Sequence, residues 1–148
     1  MHNLQLTEDQ DMIVDTVRKF VADVVAPKAQ ELDEHRSFVG EQFAGLAELG
    51  VFGLCVAEAN GGVGMGLLPF VASLESIGVH SGSLARLWVT QMQTARALEL
   101  AGSDGLADVL SGAALVPFLG AEHGLVLQGG KLAGSARLVP GAEGAARF

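Results

Sequence analysis

The opening stretch of the chain carries the feature that most limits how it can fold. Across residues 12–25, apolar side chains recur every three or four positions, with charged residues between them. This spacing places one apolar stripe along an α-helix, and that stripe has to be buried against other elements. Just before it, Thr7 and Gln10 have the spacing of a capping box, which begins a helix. The pattern therefore predicts an amphipathic helix that packs into a larger helical fold.

Further helices are predicted as far as Gly112. Pro27 should end or kink the first helix and open a short second one to about Glu34, because its ring clashes with the preceding turn. Glycines at element ends predict three longer helices, at residues 39–49, 67–77 and 82–101. Ser103 and Asp104 are expected to cap a sixth, short helix that runs through Leu110.

After Gly112 the pattern becomes that of strands. Residues 113–119 form an apolar run with no evident cover, and residues 125–128 and 131–134 flank Gly129-Gly130, a strong hairpin signal. Residues 137–139 could extend the second strand. The fold expected is mostly α: a helical bundle at residues 1–112 followed by a short, incomplete β segment at residues 113–148. Because so small a sheet is marginal alone, we expect a missing segment, a second copy or a partner chain to complete it.

Composition excludes several classes of protein. The chain has 9 basic and 17 acidic residues, a net charge of -8, and neither Lys nor Arg between Ser37 and Ala85. Such a surface is unsuited to binding nucleic acid. No segment has the apolar length of a membrane span. One cysteine, Cys55, fits a reducing compartment, and a cytoplasmic protein is expected.

The sequence contains no recognisable catalytic or metal-binding constellation. The histidines are His2, His35, His80 and His123, and no two share a helix face. Neither a nucleophile elbow nor a Ser/His/Asp set is evident, so we assign no catalytic residue and no metal ligand.

A glycine-rich loop holds Gly61, Gly62 and Gly64. A dinucleotide fingerprint would need a third glycine at the position of Leu67, so the loop is interpreted mainly as a turn with positive φ angles.

One face of the fifth predicted helix combines Trp88, Gln91, Met92 and Ala95, at spacings i, i+3, i+4 and i+7. A stripe of this kind is usually core. Gln91, however, is an amide that needs polar partners, while Trp88 and Met92 supply the adaptable apolar surface of ligand cavities. This face is therefore the candidate substrate-pocket wall.

The motifs taken in order resemble the N-terminal domain of the acyl-CoA dehydrogenases, over residues 4–112. Residues 6–10 open the first helix as in that family, and residues 46–54 read L-A-E-L-G-V-F-G-L. The sequence V-A-E-A-N-G-G-V-G at residues 56–64 is similar to the family's V-P-E-x-Y-G-G-x-G loop. More loosely, Leu132 and Gly134 resemble the hairpin that begins the family's middle β-domain.

The resemblance implies a function and a cofactor. Members of this family remove an α-proton from an acyl thioester with a glutamate while a β-hydride passes to FAD. The helix that corresponds to residues 82–101 would form the floor of the acyl pocket, which implies roles for Trp88, Gln91, Met92 and Ala95, with the loop of Gly61, Gly62 and Gly64 nearby.

The chain also departs from the family pattern. Ala57 and Asn60 replace the usual Pro and Tyr, and the T-E-P-x-A-G-S-D loop that holds flavin and substrate is absent. Pro140 stands in the segment that normally contacts the flavin, and it has no amide hydrogen to donate. No residue corresponds to the family's catalytic carboxylate, which the family's C-terminal helical bundle supplies. The same bundle forms much of the cofactor site, so we assign no cofactor-binding residue.

We therefore expect a fragment or small subunit of a flavin-dependent acyl-CoA dehydrogenase-like oxidoreductase, which contributes part of the acyl pocket. Other copies or a partner subunit would complete it. The alternative is a non-catalytic binding or assembly module of the same family. Bound FAD would favour the first hypothesis, and a colourless protein that binds acyl groups the second.

Overall fold

A computed structural model describes residues 5–120 and 123–145. Helix α1 (Glu8–Phe20) begins at the predicted capping box. The backbone amide of Gln10 donates to Thr7 Oγ1 over 3.3 Å, and the Thr7 amide donates to Gln10 Oε1 over 3.0 Å. These bonds satisfy two amides that the first helical turn leaves without partners, and the prediction is confirmed.

The helical path continues through Pro27, which therefore does not end it. Helix α1 continues through one π-helical turn (Val21–Val25) into α2 (Ala26–Glu34), with Pro27 in the first turn of α2. At the junction the Ala26 amide donates to the carbonyl oxygen of Val21, five residues back. The wider turn accommodates a residue that has no amide hydrogen, so the predicted second helix is confirmed.

The remaining helices follow the predicted order, as α3 (Gly40–Glu48), α4 (Leu67–Gly78), α5 (Gly82–Ala101) and α6 (Leu106–Leu110). Gly50 and Gly102 adopt left-handed conformations, with φ of 72° and 60°, and end α3 and α5 as expected. Helix α6 starts later than predicted, because Ser103 Oγ accepts from the Gly105 amide in a turn that precedes the helix.

Helix α5 runs through the centre of the packing. The main core joins α1, α3, α4 and α5 around side chains with no exposed surface, among them Val17, Leu46, Phe52, Ile77 and Trp88. A smaller cluster unites Ala95 of α5 with Val56, Leu106 and Val109.

The segment after α6 differs from the prediction. The apolar run 113–119 forms no strand, and it does find cover inside the chain, so the expectation that it lacks cover is wrong. Ala114 and Leu115 are buried, and α5 supplies hydrogen-bond donors for their stretch of backbone: Gln91 for the carbonyl of Ala114 and Thr94 for that of Val116. Side-chain amides and hydroxyls can thus replace a sheet partner.

The predicted hairpin is present but short. Strands β1 (Val126–Gln128) and β2 (Lys131–Ala133) pair antiparallel around Gly129 and Gly130, both at positive φ. The second strand stops at Ala133, so the suggested extension through residues 137–139 is wrong: Leu138 takes a left-handed φ of 54° and is 97% exposed. In the ranges described, these two strands form the sheet, and no helix is long and apolar enough to cross a membrane.

Candidate functional site

An apolar groove of about 820 Å³ opens on one side of α5. Its floor contains Phe70 of α4 and Met92 of α5, and its rim includes the exposed side chains of Leu67 and Leu100. The remaining lining residues come from residues 55–66, from α5 and from the segment after α6: Cys55, Ala57, Gly64, Gly66, Val89, Gln93, Arg96, Ala97 and Phe118. Large concave apolar surfaces of this size commonly hold ligands.

A second cleft, of about 740 Å³, lies between α2 and the start of α5. Its lining includes Asp33, Arg36 and His80 and is mostly polar. The groove beside Met92 is therefore the better candidate for an acyl chain, which gains free energy by leaving water for an apolar surface.

Of the four predicted pocket residues, one borders the groove and three are buried in the core. Met92 borders the groove, whereas Trp88, Gln91 and Ala95 have no exposed surface and do not line it. Trp88 lies directly behind the floor, with its ring edge-on to that of Phe70 at a centroid distance of 5.0 Å. Ala95 faces α6 within the smaller cluster. A role for the four in binding an acyl chain stays a prediction.

Gln91 makes the polar contacts that its burial requires. Its Nε2 donates to the carbonyl oxygens of Val109 and Ala114, over 2.9 and 2.8 Å, and its Oε1 accepts from the Val116 amide over 3.5 Å. The sequence indicated a buried amide in need of partners. It did not indicate that those partners would be backbone groups rather than a ligand.

The glycine-rich loop is a tight turn beside the groove. Gly61 and Gly64 have φ angles of 83° and 68°, as predicted, and Gly64 borders the groove. Gly62 has a different reason to be glycine, because a Cβ there would lie 2.1 Å from the carbonyl oxygen of Val56. Backbone bonds such as Gly64 N to Val56 O, at 2.9 Å, close the loop on itself.

A charged cluster that the sequence did not single out ties this loop to α5. Glu99 Oε1 accepts from the Ala57 amide and from Asn60 Nδ2, both over 2.9 Å, while Oε2 pairs with Arg96 Nη1. The Glu99 side chain is only 6% exposed. The hydrogen bond from Asn60, then that from Ala57, holds the pKa of Glu99 below its ordinary range. The spacing of Arg96 and Glu99 does predict an ion pair, but the partners in the loop are distant in sequence.

Cys55 is a poor nucleophile in this setting. Its thiol donates to the carbonyl oxygen of Gly66 over 3.3 Å, and burial raises its pKa, with Arg96 opposing that effect. A protonated thiol is inert, so Cys55 contributes apolar surface to the groove.

No group of His, Cys, Asp and Glu side chains could hold a metal ion within residues 5–120 and 123–145. His2, one of the four histidines considered, lies outside the described residues.

The segment that would face a flavin does not fit one by itself. Each strand of the hairpin has three residues, and Leu127 and Leu132 are 75% and 70% exposed. Leu138 points into water, and Pro140 has no amide hydrogen. In the part that the structure covers, residues 123–145 thus form no enclosed set of donors for an isoalloxazine ring.

Comparison with known proteins assigns the family. The profile of the acyl-CoA dehydrogenase N-terminal domain matches residues 7–109. Benzylmalonyl-CoA dehydrogenase of Aromatoleum aromaticum is 36% identical over 109 residues, which are 73% of this chain and 29% of that protein. The chain therefore spans less than a third of the length of that relative.

Two solved structures share the fold. Butyryl-CoA dehydrogenase from Megasphaera elsdenii superposes with a TM-score of 0.71 at 21% identity, over 79% of this chain and 33% of that one. An electron transferring flavoprotein of Acidaminococcus fermentans gives a TM-score of 0.78 at 23% identity, over 97% of this chain and 43% of that one. At these identities the likeness shows the fold alone. The profile match, which covers most of the helical part, shows that the chain belongs to the acyl-CoA dehydrogenase family through its N-terminal domain.

Proposed function

We propose that this chain forms one wall of the acyl-binding pocket of an acyl-CoA dehydrogenase-like oxidoreductase. The observation that carries the proposal is the apolar groove floored by Phe70 and Met92. Related proteins act on benzylmalonyl-CoA and butyryl-CoA by their names, so an acyl thioester is the ligand class that best matches both family and surface.

The groove would bind the acyl chain through contact with apolar side chains. Each methylene buried there contributes about 0.8 kcal/mol. Met92 can adapt to chains of different shape, because its thioether side chain has several rotatable bonds. Since the groove is open on one side, we propose that a second copy or a partner subunit covers it. In such an assembly the ligand would be shielded from water.

The reaction proposed is α,β-dehydrogenation, and it needs groups that this chain does not bring to the groove. Among the described residues that line it there is no carboxylate and no imidazole to remove an α-proton. We propose that the catalytic base comes from the copy or partner subunit that covers the groove. The same copy or partner subunit would hold FAD, the cofactor that the family implies. We also propose that the assembly acts in the cytoplasm.

A second function is favoured by the same lack of a base. A family member that binds an acyl group but carries no base would act as a non-catalytic binding or assembly module. The two functions differ in whether flavin accompanies the protein, so the absorbance spectrum of the purified chain, alone and with its co-purifying partners, separates them.

Acyl binding itself can be tested with the full chain. Trp88 is the one tryptophan, and it touches Phe70 on the groove floor, so its fluorescence should respond to a ligand. We expect the affinity for acyl-pantetheines to rise with chain length until the groove is filled.

A matched pair of variants locates the binding surface. Leu67→Asn alters the groove rim, and Val71→Asn alters an exposed residue of the same helix that does not line the groove. We expect Leu67→Asn to weaken binding by about fivefold and Val71→Asn to have little effect. Equal effects of the two substitutions, or an affinity that is independent of acyl-chain length, would contradict the proposal that the groove is the acyl-binding site.

A further inference from the structure

We propose that the groove selects an acyl ligand that carries an anionic group, and that Arg96 is the residue that pairs with this group. The inference rests on the proposed function and narrows its substrate class. It comes from the one charged side chain beside an otherwise uncharged groove: of the described residues that border the groove, Arg96 is the only one with a charge.

Arg96 is placed to reach a ligand. Its side chain is 43% exposed, and it leaves α5 between Met92 on the floor and Leu100 on the rim. A ligand chain lying against the floor would thus run beside the guanidinium. Covering the groove would exclude water, and the attraction between opposite charges is stronger at lower dielectric.

The ion pair with Glu99 leaves most of the guanidinium available. A guanidinium has five N–H donors, and in the described part of the chain Arg96 uses one hydrogen bond, from Nη1 to Glu99 Oε2. The Glu99 carboxylate is also held by Asn60 and by the Ala57 amide. Because three groups share the charge of Glu99, its one bond to Arg96 fixes the guanidinium in place without saturating it.

The free edge of the guanidinium suits a planar or tetrahedral oxyanion, which can accept two parallel N–H bonds. Such a group could be a carboxylate at the far end of the acyl chain or a phosphate of the thioester carrier. Both present the same oxyanion chemistry to Arg96, and suitable ligands distinguish them.

Three ligands of matched chain length provide the test. Octanoyl-pantetheine is neutral, octanoyl-CoA adds phosphates, and the monopantetheine thioester of suberic acid adds only a terminal carboxylate. Their dissociation constants would be measured through Trp88 fluorescence for the wild-type chain, Arg96→Gln, Arg96→Lys and Arg86→Gln. Arg86 is the control, since it is exposed on the same helix and does not line the groove.

We expect the wild-type chain to bind one of the anionic ligands about tenfold more tightly than the neutral one. This preference should fall as salt is added, disappear in Arg96→Gln, survive in part in Arg96→Lys and be unchanged in Arg86→Gln. The ligand whose advantage disappears identifies the anion as carboxylate or phosphate.

Equal affinity of the wild-type chain for all three ligands overturns the inference and leaves acyl binding in place. A preference for an anionic ligand that persists in Arg96→Gln overturns the inference in the same way. If no ligand binds at any charge, the proposed function itself fails. The salt dependence of the wild-type preference keeps the inference falsifiable should Arg96→Gln not fold.

Discussion

Gln91 Nε2 lies 2.8 Å from the carbonyl oxygen of Ala114, and this hydrogen bond attaches the segment after α6 to the middle of α5. The same nitrogen donates to the carbonyl of Val109 inside α6. One buried amide thus donates to two backbone carbonyls, and that of Val109 also accepts from the Gly112 amide over 3.3 Å. Together with the bond from Thr94 and the contacts of Ala95, the Gln91 side chain joins residues 106–116 to α5.

We therefore expect Gln91→Leu to lower the free energy of unfolding by about 1–3 kcal/mol. The carbonyl of Ala114 loses its donor, and that of Val109 keeps only the bond from the Gly112 amide. Gln93→Leu is the matched control: Gln93 is exposed, two residues along the same helix, and should stay within about 0.5 kcal/mol of wild type. Urea denaturation measures both. A Gln91→Leu chain as stable as the control would mean that the Ala114 carbonyl has found another donor, such as water.

Substitutions at Ala95 and Ala97 separate core from groove. Ala95 is fully buried against α6, and Ala97 is exposed and borders the groove. We expect Ala95→Leu to cost about 1–3 kcal/mol of stability through overpacking. Ala97→Leu should change stability by less than about 0.5 kcal/mol.

For ligand binding we expect the opposite: Ala97→Leu should have the larger effect and Ala95→Leu the smaller one. The larger side chain at position 97 would shorten the longest acyl chain that the groove accepts, and Ala95→Leu should leave chain-length preference unchanged. A shortened preference in Ala95→Leu, with little loss of stability, would support the cavity role that the sequence suggested for Ala95. Thermal melts and Trp88 fluorescence titrations give the two readouts.

The features that the sequence predicted well are local ones. The Thr7–Gln10 capping box and the turn at Gly129-Gly130 each depend on a few neighbouring residues. Helical periodicity likewise places Trp88 and Gln91 on one face of α5. It does not specify what that face packs against, because the answer depends on where α6 and the following segment go.

Contacts distant in sequence were missed for the same reason. Glu99 meets Ala57 and Asn60 only after the helices have packed, and no spacing pattern in the sequence predicts that contact. The apolar run 113–119 suggested a strand because apolar runs are common in sheets. Its carbonyls at Ala114 and Val116 instead accept from Gln91 and Thr94, whose partners periodicity cannot assign.

Gly62 should tolerate no side chain. A Cβ at this position would lie 2.1 Å from Val56 O and 2.4 Å from Val56 C, both backbone atoms that cannot turn aside. We expect Gly62→Ala to cost about 3 kcal/mol or more, near or beyond the upper end of overpacking effects. At Gly82, where a Cβ would meet open space, alanine should be neutral or slightly stabilising in the first turn of α5. Comparable melting temperatures for the two variants would show that the loop can rearrange.

The stability of the chain should depend on pH through Glu99. Hydrogen bonds from Asn60 and from the Ala57 amide lower its pKa in the folded state, so folding favours the ionised carboxylate. For a lowered pKa the stabilisation is complete above the unfolded value, about 4.3 for glutamate, and is lost as the pH falls through the folded value. Glu99→Gln removes this titration.

We expect wild type to be more stable than Glu99→Gln at pH about 7 and this difference to shrink steadily below pH about 4. Glu75→Gln is the control, because Glu75 is exposed and makes no side-chain hydrogen bond in the described ranges. Its stability should stay within about 0.5 kcal/mol of wild type at pH about 7. Urea denaturation across this range measures the differences. If the gap between wild type and Glu99→Gln stayed constant down to the lowest pH, the carboxylate charge would not be what holds the Ala57–Asn60 loop to α5.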